Sequence, residues 1–382
     1  MKNEHLKNWF NKNFESRISG RYITLNHLDL LLKDLQEIAK IEILGLSENG
    51  LEIPILKIGN GSKKVLAWSQ MHGNESTTTK GVFDFLKFLN SKEIYKSEID
   101  LFLKTHTFFV IPILNPDGAI LNTRENFNKI DLNRDAQLQT QRESLLLRGC
   151  FDSIKPNLCL NLHDQRSIFG FANGNPATIS FLAPAAEKSR KITLARKIAI
   201  GYINRAVQLL EIEIPNNIGR FDDSFNINCV GDSFTALETP TILVEAGHLG
   251  DDYSRDSSRY YVFLALVGIL LSASENISLD KAMKNYFHLP ENEKNFNDIV
   301  LINVLLEKGK LGTVGCQFKE VLNENVVEFQ LIVDSISNNQ KIYGHKIFDL
   351  QGNRVLINSQ ESYHIGQKIE SIFDETHKNS IY

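Results

Sequence analysis

Short apolar runs that each end beside a residue able to do chemistry constrain the fold of this chain more than any other feature. After Gly61 the sequence predicts a strand (KVLAWSQ), a loop containing His72, a helix (TTKGVFDFLKFLN) and another strand (FFVIPIL). Such alternation is typical of an α/β fold with buried, parallel-type strands. We therefore expect a mixed, largely parallel sheet flanked by helices on both faces.

Four of the predicted strands deliver polar side chains to their ends. His72 and Asn115 follow two early strands, while His163 and Glu245 each follow a later apolar run. In open α/β sheets, ligands bind in the crevice outside the carboxyl ends of the strands. The sequence therefore predicts one cleft lined by these residues.

The pattern changes near the C-terminus. From about Phe296 onward, short β-type runs (IVLINVLL, VVEFQLIV, KIYGHKIFDL, RVLINS) are separated by hairpin signals. A chain of 382 residues also exceeds the length of roughly 250–300 residues at which a single core stops growing. We expect an α/β domain over residues 1–290 and a small β-rich domain over residues 291–382.

Charge and hydropathy disfavour several classes of partner. The formal net charge of −4 provides no broad basic field, so we expect no nucleic-acid partner. No apolar run reaches the ~20 residues of a membrane span, and the first residues resemble no signal-peptide core. The expectation is a cytoplasmic protein that has no membrane partner. The sequence does not indicate an oligomeric state.

The segment HGNE at residues 72–75 is the first candidate metal-binding feature. Its spacing allows an imidazole and a carboxylate from one turn, His72 and Glu75, to converge on a single cation. A catalytic zinc site has three protein ligands of this kind and keeps a further position open. His163, at the end of a later strand, is the best third candidate, although a lone histidine there is more often an ordinary buried or surface group.

Further motifs follow in a fixed order. NPDG stands at residues 115–118 and DLNR at 131–134, and Arg124 precedes Asn133 by nine residues. LNLH and ILVEAGH then end the series, with His163 and Glu245. Over roughly residues 43–247 the chain resembles the zinc carboxypeptidases, the carboxypeptidase A-like metallopeptidases. A weaker resemblance links it to succinylglutamate desuccinylase and aspartoacylase.

The resemblance to the zinc carboxypeptidases implies a role for each matching residue. His72, Glu75 and His163 would hold one zinc ion per chain. Glu245 would be the general base, which takes a proton from the attacking water and returns it to the leaving amine. The implied activity is hydrolysis of the C-terminal peptide bond of a peptide substrate.

Three more residues complete the implied site. Arg124 resembles the arginine that stabilises the developing oxyanion, a role suited to a permanently charged donor. Asn133 and Arg134 resemble the pair that binds the terminal carboxylate of the substrate, which a planar guanidinium can grip with two parallel hydrogen bonds. This pair would make the enzyme an exopeptidase.

One position departs from the family pattern. Carboxypeptidases of this type usually carry a mobile tyrosine about 22 residues before the catalytic glutamate, and the residue at that position here is Asp223. No tyrosine occurs between Ile203 and Asp252. The mode of terminal-carboxylate capture and the residue preference therefore stay open.

Two alternatives stay open beside the peptidase. A zinc-dependent deacylase of small N-acyl amino acids shares the HGNE segment, an arginine and DLNR, and also has a C-terminal β domain. A non-catalytic binding protein on the same fold would be expected to lack a ligand or the base, because fold alone does not fix function. The NPDG segment favours the peptidase.

Overall fold

The computed structural model describes residues 1–272, 278–306, 309–337, 342–374 and 379–382. The described chain divides into two compact units. The first unit comprises Met1–Gln165 and Ala177–Asn292, and the second comprises Arg166–Pro176 and Glu293–Tyr382.

Helices and strands alternate through the first unit, whereas the second is built from strands. The helices are α1 (Asn3–Asn13), α2 (Leu25–Asp34), α3 (Thr77–Ser91), α4 (Lys96–Thr105), α5 (Pro116–Leu121), α6 (Arg142–Ile154), α7 (Leu194–Glu213), α8 (Val230–Ala236), α9 (Arg259–Leu271) and α10 (Leu279–His288), with a 3-10 turn at Leu132–Arg134. The strands are β1 (Ala39–Leu46), β2 (Glu52–Ile58), β3 (Lys63–Trp68), β4 (His106–Ile111), β5 (Leu158–Asp164), β6 (Phe169–Gly170), β7 (Ile179–Leu182), β8 (Ile218–Arg220), β9 (Thr241–Ala246), β10 (Glu293–Lys294), β11 (Phe296–Leu305), β12 (Leu311–Asn323), β13 (Val326–Ser337), β14 (Tyr343–Asp349), β15 (Val355–Ile357), β16 (Ile372–Asp374) and β17 (Asn379–Ser380).

An eight-stranded mixed sheet in the order β1-β2-β4-β3-β5-β9-β7-β8 organises the first unit. The central strands β4, β3, β5 and β9 are parallel to one another. β2 pairs antiparallel with β4 and β7 pairs antiparallel with β9, while β1 pairs antiparallel with β2 at the edge. Parallel strands all end at the same edge of a sheet, so the residues that follow β3, β5 and β9 are brought close together.

Helices cover both faces of this sheet. Val65 and Ala67 of β3 belong to a core that also contains α3, α7 and α9 residues, whereas Leu66 and Trp68 belong to a second core with residues of α6 and α8. Successive strand residues point to opposite faces, so a strand buried on both sides is apolar throughout rather than alternating. Phe234 of α8 packs edge-on against Trp68, with ring centroids 5.6 Å apart.

The second unit contains a four-stranded sheet in the order β13-β12-β11-β14, a three-stranded sheet β15-β16-β17 and the short pair β10-β6. Its core is formed by buried aliphatic residues such as Ile299, Leu331 and Ile357. Tyr343 donates a hydrogen bond from its hydroxyl to Ala172 O (2.8 Å), which fixes the segment Arg166–Pro176 to the C-terminal strands.

The predicted fold class, an α/β sheet flanked by helices and accompanied by a small C-terminal β domain, is confirmed. The sequence did not predict that Arg166–Pro176 groups with the C-terminal strands, because a short stretch without apolar periodicity carries no signal of its partner. Within the described residues, no helix combines the length and the apolar character that crossing a membrane requires.

Candidate metal centre

The loop between β3 and α3 carries the first two candidate ligands, and its path depends on a glycine. A Cβ atom at Gly73 would lie 1.9 Å from the backbone carbon of Gly118, so only glycine allows the loop to lie against α5. Asn115 fixes the same contact, because its Oδ1 accepts from Gly118 N (2.8 Å) and its Nδ2 donates to Met71 O (3.2 Å). Asn115 is fully buried and supports the loop rather than lining the cleft as predicted.

The three candidate ligands lie close together. Nδ1 of His72 is 2.9 Å from Glu75 Oε1, and Nδ1 of His163 is 2.8 Å from Glu75 Oε2. The two Nδ1 atoms are 3.1 Å apart. Both imidazoles are 2% exposed, so this group of donor atoms lies almost out of contact with solvent.

Asp131 fixes the orientation of the His72 ring. Asp131 Oδ1 lies 3.0 Å from Nε2 of His72, so a proton on Nε2 is donated to this carboxylate. The lone pair on Nδ1 then points at Glu75 and His163. Metal-bound histidines almost always donate their other ring nitrogen in this way.

The donor atoms fit a zinc ion. Two imidazole nitrogens and a carboxylate oxygen form the ligand set found in catalytic zinc sites such as those of thermolysin-type enzymes. Because His72 Nδ1 and His163 Nδ1 face each other at 3.1 Å, at most one proton can lie between them. A cation bound by the lone pairs of both nitrogens would remove the repulsion between them. His72, Glu75 and His163 are the residues that would hold the ion.

The protonation states of the ligands are coupled. Burial acts against ionisation of Glu75, yet the adjacent imidazoles keep its pKa well below the usual range. Burial also lowers the pKa of His163. For His72 burial acts in the same direction, but the carboxylates of Glu75 and Asp131 outweigh it and raise the pKa. The cluster thus attracts positive charge, which a metal can supply in place of a proton.

Glu245 lies on the strand next to His163. In the parallel ladder between β5 and β9, His163 is the direct partner of Glu245. Burial, reinforced by the charges of Glu75 and Asp164, raises the pKa of Glu245 well above its usual value. Its Oε2 is buried and makes no hydrogen bond to the described residues. An unpartnered carboxylate oxygen beside a metal group is the arrangement a general base needs.

Arg124 approaches the same group from the loop after α5. Its Nη1 lies 3.2 Å from His72 Nδ1 and 3.5 Å from Glu75 Oε1. Its Nε and Nη2 atoms bind Asp131 Oδ2 at 3.0 and 2.9 Å. The side chain remains 41% exposed although each guanidinium nitrogen lies within 3.5 Å of one of these partners.

Asn133 and Arg134 lie on the 3-10 turn that follows Asp131. Asp131 Oδ1 accepts from the backbone N–H of Asn133 (2.9 Å) and caps this turn. Asn133 Oδ1 accepts from Val230 N (3.0 Å), and Arg134 Nη1 contacts Cys229 Sγ at 3.2 Å. The turn is therefore fixed against the start of α8, and the guanidinium of Arg134 is exposed.

Comparisons with known proteins indicate the family and the fold that this chain resembles. The family described as Zinc carboxypeptidase matches residues 24–151, which include His72, Glu75, Arg124 and the DLNR segment. A metallo-carboxypeptidase from Burkholderia cenocepacia superimposes with a TM-score of 0.54 at 16% identity, covering 65% of this chain and 68% of that one. The predicted resemblance to the zinc carboxypeptidases is confirmed.

A second similar structure is bovine thrombin-activatable fibrinolysis inhibitor, which was solved in complex with tick carboxypeptidase inhibitor. It has a TM-score of 0.52 and 14% identity, and the match covers 69% of this chain and 98% of that chain. Among curated proteins, none matches this chain by sequence. At these identities the structural matches establish the carboxypeptidase fold alone.

The position of the carboxypeptidase tyrosine carries a carboxylate that is committed to ion pairs. Asp223 Oδ2 binds Nη2 of the fully buried Arg196 at 2.7 Å, and Asp223 Oδ1 binds Arg190 Nη1 at 3.1 Å. A side chain fastened by two guanidinium groups cannot move onto a substrate as a mobile tyrosine would.

Two residues that contact the candidate metal centre were not predicted from the sequence. Asp131 is the acidic residue of the DLNR segment and accepts from Nε2 of His72. Because a metal-binding histidine needs an acceptor for its other ring nitrogen, this acidic residue was a usable signal in the sequence. Arg21 reaches the loop of residues 72–76 from the N-terminal segment, and no motif marked it. Its distance in sequence from every motif explains the omission.

Proposed function

We propose that this protein is a zinc-dependent metallocarboxypeptidase that removes the C-terminal residue of peptide substrates and uses one zinc ion per chain. The observation that carries this proposal is the convergence of two imidazoles and a carboxylate beside an unpartnered buried glutamate on the adjoining strand. The carboxypeptidase family match and fold support the same reading.

Each residue has a distinct task in the proposed reaction. His72, Glu75 and His163 would hold a zinc ion, which when bound would supply Lewis-acid polarisation of the scissile carbonyl and lower the pKa of the attacking water. The carboxylate of Glu245 accepts a proton from the attacking water and then donates it to the nitrogen of the leaving amine. Arg124 donates hydrogen bonds to the scissile oxygen as negative charge develops there.

The terminal carboxylate of the substrate is assigned to Asn133 and Arg134. Arg134 Nη1 is engaged by Asn133 O and Cys229 Sγ, so the parallel donors that the exposed guanidinium can offer are its Nε and Nη2, and the side chain of Asn133 keeps its amide donors. Because Asp223 is engaged by Arg196, recognition of the carboxylate depends on this pair without a closing tyrosine. We therefore expect Arg134→Ala to raise KM more than it lowers kcat.

The test combines metal content with product analysis. Purified full-length protein is analysed for zinc and incubated with a mixed library of peptides and small N-acyl amino acids, with and without a chelator. Release of single C-terminal residues by protein that contains one zinc per chain, and its loss on chelation, is the expected result.

Other outcomes redirect the assignment. Cleavage restricted to the N-acyl amino acids would move the protein to the deacylases and contradict the peptidase proposal. A protein that neither binds zinc nor turns over any substrate would identify a binding protein on the carboxypeptidase fold.

A further inference from the structure

Asp164 joins several parts of the metal centre. Its backbone N–H donates to Glu75 Oε2 (3.1 Å), and its carboxylate accepts from the backbone N–H groups of Thr77 (2.9 Å) and Thr78 (3.2 Å). Thr77 is the first residue of α3. It directly follows the loop of residues 72–76, which carries His72 and Glu75 and is called the ligand loop below. One residue thereby connects the end of β5 to the ligand loop and to the helix that follows it.

The strand geometry explains why Asp164 can do this. Neighbouring residues of a strand face opposite sides of the sheet, so Asp164 points away from the side on which His163 meets the other ligands. A carboxylate at the N-terminus of a helix is also favourable, because the free N–H groups and the helix dipole attract negative charge. Asp164 is 6% exposed, so its charge needs a buried partner.

Arg21 is that partner. Its Nη1 lies 2.7 Å from Asp164 Oδ2 and 2.7 Å from Thr77 Oγ1, and its Nη2 donates to Asn74 O at 3.3 Å. The side chains of Arg21 and Asp164 are only 5% and 1% exposed. A rigid guanidinium can serve three acceptors in fixed directions, whereas a lysine ammonium cannot reproduce that geometry.

The backbone around Arg21 is fastened to the same loop. Arg21 O accepts from Ser76 Oγ (2.6 Å), and Ile23 O accepts from Gln70 Nε2 (2.9 Å). Arg21 also precedes the residues matched by the carboxypeptidase family, which begin at residue 24. Arg21 thus contacts the loop of His72 and Glu75 from outside the residues that the family matches.

We propose that Arg21 is a positioning residue for the metal centre. Through Asp164 and Asn74 it holds the ligand loop and the end of β5 at the separation at which the three candidate ligands share one ion. This inference rests on the proposed zinc site. It assigns part of the zinc affinity to a contact outside the ligands themselves.

Zinc affinity of the full-length protein tests the proposal without relying on turnover. Metal-free protein is titrated with zinc in competition with a chromophoric chelator, below the unfolding temperature of every variant. Arg21→Ala and Asp164→Asn are each expected to weaken zinc binding by about 10- to 100-fold, the range found when groups that orient metal ligands are removed. Arg21→Lys keeps the positive charge but loses the planar guanidinium with its fixed donors, so it should weaken zinc binding by a smaller factor.

Asp84→Asn is the matched control, because the Asp84–Arg259 pair is similarly buried and, among the described residues, makes no hydrogen bond to the loop of residues 72–76. It should lower the unfolding temperature and leave the zinc Kd unchanged. A wild-type zinc Kd in folded Arg21→Ala or, if that variant does not fold, in Arg21→Lys would overturn the proposal. If Asp84→Asn weakened zinc binding as much as Arg21→Ala does, the proposal would also be overturned. Wild-type protein that binds no zinc would overturn the proposed function itself.

Discussion

Two clusters of largely buried charged groups, one on α3 and one at the loop before it, differ in how completely their atoms are partnered. In the anchoring cluster, formed by Asp84, Arg259, Lys80 and Asp256, Asp84 meets Arg259 at 2.6 Å and Lys80 meets Asp256 at 2.6 Å. Lys80 also donates to Gly20 O and to Ser254 O, so all three of its N–H groups are used.

The metal cluster, formed by His72, Glu75, His163 and Glu245, is left incomplete by the chain. His163 Nε2 and Glu245 Oε2 are buried without a hydrogen-bond partner among the described residues, and ligand lone pairs face each other. Burying a polar group without a partner is costly, so proteins keep such groups where a ligand or a reaction needs them. In this chain the matched buried charges join elements of the fold, whereas the unmatched ones lie at the candidate site.

The largest expected effect is on turnover at the incomplete cluster. Glu245→Gln keeps the size of the side chain but removes the proton acceptor, so kcat should fall by about 10²–10⁴-fold. Steady-state kinetics on the peptide substrate measure this, and zinc content should stay at the wild-type level. Glu211→Gln on the exposed face of α7 is the control. Full activity of Glu245→Gln would refute the proposed base.

Breaking the anchoring cluster should instead change stability. Arg259→Ala leaves the fully buried Asp84 without its cation, which is expected to cost about 3–5 kcal/mol of the free energy of unfolding. Urea denaturation measures this loss. The double variant Asp84→Leu with Arg259→Met should recover much of it, because apolar residues of similar volume can replace a buried ion pair. If the double variant did not regain stability, the Asp84–Arg259 pair would have a role beyond neutralising each other's charge.

Metal binding should stabilise the fold through the incomplete cluster. At free zinc of about 100 times Kd, a ligand that binds only the folded state adds about 2.7 kcal/mol. Comparing unfolding with and without a chelator measures this increment. His163→Ala should abolish the increment, whereas Asp84→Asn should preserve it. An increment that survives in His163→Ala would place the ion elsewhere.

A smaller pH effect is expected from Asp232, a buried acid outside both clusters. Burial raises its pKa to about 7 from an ordinary 3.8, so the folded state binds a proton more tightly than the unfolded state. The stabilisation of the folded state by the protonated Asp232 carboxyl is full below pH ~4 and is lost as the pH rises through ~7. Asp232→Asn should therefore be more stable than wild type at pH 8, by about 1–2 kcal/mol. Equal unfolding curves at pH 8 would contradict the shift.

Much of the candidate site was predictable because its residues lie in short local patterns. The HGNE segment, DLNR and the strand-end positions of His163 and Glu245 are each determined within a few residues of sequence, and parallel strands necessarily end at one edge. Substrate-binding roles for Asn133 and Arg134 stay predictions. Asn115 was misjudged, because a strand-end position does not show whether a side chain faces the cleft or caps a helix.

The sequence by itself indicated the fold class and the three candidate zinc ligands, because periodicity and the order of short motifs are local properties of the chain. Tertiary structure alone decided which charges are matched. It paired Asp223 with Arg196, Asp84 with Arg259 and, across 143 positions, Arg21 with Asp164. Pairings of that separation leave no periodic trace in sequence, since they depend on how packed elements bring distant side chains within hydrogen-bonding distance.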